Sequence, residues 1–200
     1  MKIMRLEVLV GAVATFVAAT LSVAQAPNGP PDYIRTVDGE RDPESIPLHE
    51  AAWTVFGMLQ NMAENRPLGS MTSRTGISEE AISTLVARID MAFVDFDALT
   101  RRHTAESCDS YARNAVTTPA DFAALSKRQS EEADEWRASR VAEVVAGLDA
   151  ATVAALQARF DEVRRNMKWG TLDYDKLAAS PGFDLTRAYA GMCDTESVEQ

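Results

Sequence analysis

The sequence predicts an all-α protein: a four-helix bundle-like domain closed by a short helical C-terminal cap and preceded by a signal peptide and a disordered Pro-rich lead. Three observations carry this reading. Apolar residues recur at steps of three and four in separate segments between Leu48 and Met167, capping and breaking residues separate those segments, and no segment alternates apolar and polar residues as a half-buried strand would. No repeat of domain-forming length interrupts the pattern.

The chain opens MKIMRLEVLVGAVATFVAATLSVAQA, with Lys2 and Arg5 ahead of an uncharged apolar run, Val8 to Val23, that ends in small residues. This is the three-part layout of a secretory signal peptide. Cleavage after Ala24 and after Ala26 both satisfy the small-x-small rule, and the first is preferred because the second leaves Pro27 next to the scissile bond. An uncleaved anchor is the alternative. At about 1.5 Å per residue, however, the run spans only about 24 Å of a hydrocarbon core about 30 Å thick. The expected address is therefore periplasmic or secreted, with no membrane insertion once residues 1–24 are removed.

Residues 25–47, with five prolines and two glycines, have no periodicity that could bury a face and read as an extended lead. The helical domain is expected from Leu48. In the first helix, residues 48–65, the inward stripe is Leu48, Ala52, Val55, Leu59 and Met62, stopped by Arg66, Pro67 and Gly69. PLGSMTSRTG then reads as a loop leading to Ser78, an N-cap followed by Glu79 and Glu80.

The second helix carries the most continuous apolar face, Ile82, Leu85, Ile89, Phe93, Phe96 and Leu99, and is expected to run to about Asn114. Thr118, Pro119 and Asp121 open a third helix that ends near Ala146, with Phe122, Leu125, Ala133, Trp136, Val144 and Leu148 inward. Gly147 and Asp149 stop it and cap a fourth, in which Val153, Leu156, Phe160, Val163 and Met167 face the core. So short a link favours an antiparallel hairpin. The remainder, after Trp169 and Gly170, reads as one or two short helices around Ser180, Pro181 and Gly182.

Export would carry Cys108 and Cys193, the chain's two cysteines, into a compartment where thiols oxidise, and one intramolecular bridge is the expected pairing. It would pin the tail to the end of the second helix. The bridge also decides how to read RRHTAESCDSYAR, residues 101–113, where histidine, glutamate, cysteine and aspartate crowd together. At about 100° per residue, Cys108 lies about 140° round the helix from His103, so one metal could not take both without unwinding. A disulfide sulfur is neither ligand nor nucleophile. His103 continues the face of Phe96 and Leu99 and is read as a partly buried histidine, Glu106 and Asp109 as solvated, and His49 as surface. His103, Glu106 and His49 stand as the candidates for a polar site.

Known chemistries of helical bundles do not match. Neither histidine follows a glutamate by three positions as di-iron bundles require, there is no Cys-x-x-Cys-His for haem and no His-Glu-x-x-His for zinc, and serine nucleophile signatures are missing. The acids Asp38, Glu40, Asp42 and Glu44, or Asp173 and Asp175, lack the order of a calcium loop. No cofactor or metal is expected. The formal net charge of −10 becomes one unit more negative when the signal peptide, with Lys2, Arg5 and Glu7, is lost. Such a chain disfavours nucleic acid and anionic lipid and attracts proteins with basic surfaces. The arginine pairs Arg101–Arg102 and Arg164–Arg165 sit on acidic helices and should form same-helix ion pairs, such as Asp161 with Arg165 or Asp97 with Arg101.

Leu125-Ser126-Lys127-Arg128-Gln129 resembles the Leu-Thr-x-x-Gln motif of small helical periplasmic chaperones and envelope-stress sensors, with serine in place of threonine. The likeness covers five residues, and Leu148-Asp149-Ala150-Ala151-Thr152 lacks the Thr and Gln that a second copy would have. It implies a helical envelope protein that binds other proteins. The leading expectation is accordingly an exported, non-catalytic binding protein with a basic partner. A small-ligand or metal-binding bundle using Met58, Met62, Met71 and Met91 as soft donors is the alternative, and a carboxylate-based enzyme is the third reading.

Overall fold

The computed structural model describes residues 42–170, 173–180 and 182–193; the segment expected to be a signal peptide and most of the expected Pro-rich lead lie outside the described residues. Among the described residues, a 3-10 turn at Pro43–Ser45 is followed by seven helices: α1 Leu48–Asn65, α2 Leu68–Thr75, α3 Glu79–Ala112, α4 Pro119–Val145, α5 Ala150–Asn166, α6 Tyr174–Ala179 and α7 Leu185–Cys193. No strand occurs among the described residues. The all-α, bundle-like fold follows the periodicity of the sequence.

The helix starts are chemically specified. Ser78 Oγ accepts from the Ala81 amide at 3.2 Å at the head of α3. Thr118 Oγ1 accepts from the Asp121 amide at 3.2 Å, and Asp121 Oδ2 accepts in return from the Thr118 amide at 2.9 Å, a reciprocal cap that begins α4 at Pro119. Asp149 Oδ1 takes the Ala151 and Thr152 amides at 3.0 and 2.9 Å, directly after Gly147, whose φ of 71° is a left-handed conformation suited to glycine.

The described chain divides into two compact units, residues 42–97 with 133–169, and residues 98–132 with the described part of 170–193. In the first, α1 packs on α5 and α2, and the 3-10 turn packs on α5. Helix α1 is enclosed on every side from Ala51 to Gly57. The expected stripe was therefore too narrow: it omitted Trp53 and Phe56, and Leu48, which it included, is 38% exposed. A helix apolar all round is a central helix, not a surface one. Trp53 meets Phe93 edge-on at 4.7 Å and lies 5.7 Å from Trp136, while Phe56 meets Phe160 at 5.8 Å. The guanidiniums of Arg137 and Arg140 lie over the rings of Phe96 and Trp136.

The segment expected to be a loop after Pro67 is helix α2. Pro67 ends α1 but also pre-sets the backbone for a new first turn, and Gly76, at φ 72°, closes that helix. Met71 is fully buried beneath it, and Arg159 Nη2 donates to the Arg74 carbonyl at 2.6 Å near its end. Similarly, Arg88 Nη1 donates to the Val144 and Ala146 carbonyls at 3.0 and 2.5 Å, satisfying the end of α4. On α5 the inward residues are Thr152, Leu156 and Phe160; Val153, expected inward, is 39% exposed, because the Asp149 cap turns Thr152 toward the core. Packing also starts earlier than Leu48, since Ile46 is buried.

In the second unit, Val116, Phe122, Leu177, Ala188 and Tyr189 form a core against which Tyr111, Leu125, Phe183 and Met192 pack. Tyr111 and Tyr189 stack nearly parallel with centroids 4.3 Å apart, and Phe122 meets Tyr189 edge-on at 5.6 Å. The short helices α6 and α7 thus supply half of a core that the long helices cannot close by themselves.

Candidate functional site

All but the last residue of the stretch 101–113 lie on α3 in the second unit, where they meet α4 and α7. Cys108 and Cys193 are joined, with Cα atoms 5.7 Å apart, so the tail helix is covalently tied to α3 as expected. His103 and Glu106 both turn toward α4, and neither reaches the sulfur side. His103 is 13% exposed, and its Nε2 is 3.0 Å from Glu132 Oε2, while Arg102 pairs with the other oxygen of the same carboxylate. One helical turn on, Gln129 Nε2 donates to the His103 carbonyl and to Glu106 Oε2, each at 3.0 Å, and Ser107 Oγ donates to Gln129 Oε1 at 3.2 Å. Arg128 pairs with Glu106.

The spacing explains the contacts. Three residues forward along α3, from His103 to Glu106, are matched by three residues backward along α4, from Glu132 to Gln129, which is how antiparallel helices keep register. Glu106, expected to be solvated, keeps 39% of its side chain exposed and is also bound by two groups of α4. The hydrogen bond from Gln129 is the main cause that holds its carboxyl below the usual range, with Arg128 adding to it. Glu132 is held low chiefly by its contact with His103 and also by Arg102. Asp109 remains largely exposed and pairs with Arg113 one turn away.

The other histidine belongs to the first unit, and it is not a surface residue. His49 is 21% exposed, and its Nε2 lies 3.4 Å from Asp134 Oδ1, a longer contact than that of His103. Arg137 Nη2 binds the same Asp134 oxygen at 2.6 Å. His49 is the leading cause, with Arg137, of an Asp134 carboxyl lowered to about 2. The helix-start position that suggested exposure instead turns the imidazole toward Asp134 of α4.

Glu132, Gln129 and Asp134 were not singled out from the sequence. The signal available was polar residues at helical spacing within the thin apolar line of α4, together with Gln129 in the five-residue motif. Elsewhere, Asp161 pairs with Arg164 at 3.2 Å and not with Arg165, a three-residue step in place of the expected four. Asp42 and Asp173, seen as members of acidic clusters, cap the 3-10 turn and α6. Of the methionines considered as donors, Met71 is wholly buried while Met58 and Met91 are 41% and 62% exposed. Among the described residues, no group of three or more histidine, cysteine and acidic side chains is arranged to hold a metal, and no helix is long and apolar enough to cross a membrane.

Chemically the arrangement is a brace. Each carboxylate is held ionised by an arginine or an amide, each imidazole nitrogen described faces a carboxylate, and both sulfurs are oxidised. Fold and site define an all-α, bundle-like protein whose C-terminal helix is tied to a polar interhelical network by one intramolecular disulfide. Comparison of the chain with protein-family models, with curated proteins and with solved structures gives no match.

Proposed function

We propose that this is an exported, non-catalytic helical protein that binds another protein bearing a basic surface. The observation that supports it best is the use of the candidate reactive groups: Cys108, His103, Glu106 and His49 are all engaged in joining one helix to another. What is left to meet a partner is a helical exterior on a chain of formal net charge −10, which steers cations toward it. An oxidised cysteine pair and the N-terminal sequence favour a compartment outside the cytoplasm. The likeness of Leu125–Gln129 to the motif of envelope chaperones favours a binding role of the same general kind.

The test is direct binding of purified basic and acidic proteins of matched size to the mature protein at low and at physiological salt. Retention of the basic set, weakened by salt, is the expected result. Equal retention of acidic proteins, or turnover of a substrate by the pure protein, would overturn the reading.

A further inference from the structure

We infer that helix α7 is a redox-gated strap: reduction of the Cys108–Cys193 bridge frees it from the second unit and uncovers the seat formed by Tyr111, Val116, Phe122 and Leu125. This goes beyond the binding reading above and stands or falls separately from it.

Helix α7 has nine residues, Leu185–Cys193, too few to hold a helix in water without tertiary contacts. Its stability comes from what it packs on. At about 100° per residue, Leu185, Ala188, Tyr189 and Met192 share one face. With Leu177 of α6, Ala188 and Tyr189 of that face belong to the buried core of the second unit, and Leu185 and Met192 pack at its edge. The first unit, residues 42–97 with 133–169, is built without either helix.

The fit of α7 has one flaw. Tyr189 is 1% exposed, stacks on Tyr111 and meets Phe122 edge-on, but its hydroxyl oxygen is buried with no hydrogen-bond partner among the described residues. Burial pushes the pKa of that hydroxyl up to about 12. A buried hydroxyl without a partner has lost its hydration and gained no bond to replace it, so it works against the seated state. The Tyr111 hydroxyl donates to Thr186 Oγ1 at 3.3 Å, but this contact is exposed and adds little over water.

The covalent tie offsets the flaw. It holds Cys193, at the end of α7, to Cys108, one turn before Tyr111 on α3. Both cysteines are half-buried, within reach of a small dithiol. A thiolate of the dithiol attacks one sulfur, the S–S bond breaks, and a mixed disulfide forms. The second thiolate of the dithiol then displaces the protein sulfur. The dithiol leaves oxidised as a cyclic disulfide, and its two protons end on Cys108 and Cys193 as thiols. Without the tether the tail regains its chain freedom, and a local opening of this kind leaves a separately built core intact.

The experiment is hydrogen–deuterium exchange, read by mass spectrometry segment by segment, on the disulfide-bonded chain before and after dithiothreitol. Amides of residues 185–193 should exchange at least about tenfold faster after reduction, while those of α1 change less than about twofold. Reoxidation should restore the protection. An unchanged α7, equal acceleration of α1 and α7, or no recovery on reoxidation overturns the strap.

The deciding variant is Tyr189→Phe, which keeps the ring and removes the unpaired hydroxyl. After reduction its α7 amides should exchange at least about threefold more slowly than those of reduced wild type. A smaller difference, or faster exchange, overturns the proposal. Cys108→Ser with Cys193→Ser repeats the opening without reductant: α7 should exchange as in reduced wild type while α1 stays protected. A protected α7 in this pair overturns the strap, and so does loss of most of its helical circular dichroism, since the bridge would then hold the whole fold.

Discussion

Gln129 on α4 holds Glu106 on α3 through a 3.0 Å hydrogen bond from its amide nitrogen, and the same nitrogen reaches the His103 carbonyl. With Ser107 donating to its oxygen, one side chain links three consecutive features of the facing helix. A residue so placed is sensitive to small changes.

Gln129→Leu should destabilise the fold by about 1 to 3 kcal/mol, because Ser107, only 5% exposed, loses its partner. Gln129→Glu should cost more at neutral pH, since it sets a second carboxylate against Glu106, and its deficit should shrink on acidification as the pair takes up a proton. Urea midpoints of the three proteins at neutral and acid pH measure both effects.

The Cys108–Cys193 bridge spans a sequence separation of 85. By the chain-entropy model a loop of that size stabilises by about 4 to 5 kcal/mol. Cys193→Ser, or reduction of the wild type, should lower Tm by at least about 5 °C. Alkylation without reductant should leave the intact mass unchanged; two added alkyl groups would contradict the bridge.

Acid should weaken the first unit through Asp134. Its carboxyl is depressed from 3.8 to about 2, so the stabilisation is fully present above the unfolded value and is lost as pH falls from 3.8 toward 2. Asp134→Asn removes the titrating group, and a plot of urea midpoint against pH should flatten for the variant in that window. An equally steep fall in both proteins would place the acid sensitivity elsewhere.

Met71 tests helix α2. A methionine in a solvated loop could be replaced almost without effect, whereas one wholly buried under a helix should cost about 2 to 5 kcal/mol on Met71→Ala. Denaturant unfolding of this single variant distinguishes the two.

Much of this molecule was legible in its sequence because helical spacing and capping are local. The face Ile82, Leu85, Ile89, Phe93, Phe96 and Leu99 is buried as its period required, and Ser78, Thr118 and Asp149 cap the helices they precede. Elimination also suffices where one pairing exists, as for Cys108 with Cys193. The misreadings share a cause. Pro67 carries a start signal as well as a stop signal, and only burial of Met71 beneath the following turn selects the start. The partners of His49 and Glu106, Asp134 for the first and Gln129 with Arg128 for the second, lie on α4 and are distant in sequence, so no local pattern marked them.

Local chemistry along the chain thus determined the fold class, the main helix boundaries and the pairing of the sulfurs. Tertiary structure alone decided that α1 is enclosed on every side from Ala51 to Gly57, that Glu132, Gln129 and Asp134 are the partners of His103, Glu106 and His49, and that Met91 and Val94 stand outward. The physical reason is distance along the chain. Caps and stripes involve residues three or four apart, whereas a partner tens of residues away is chosen by the register in which two helices pack, and that register is set by the shapes of the whole core.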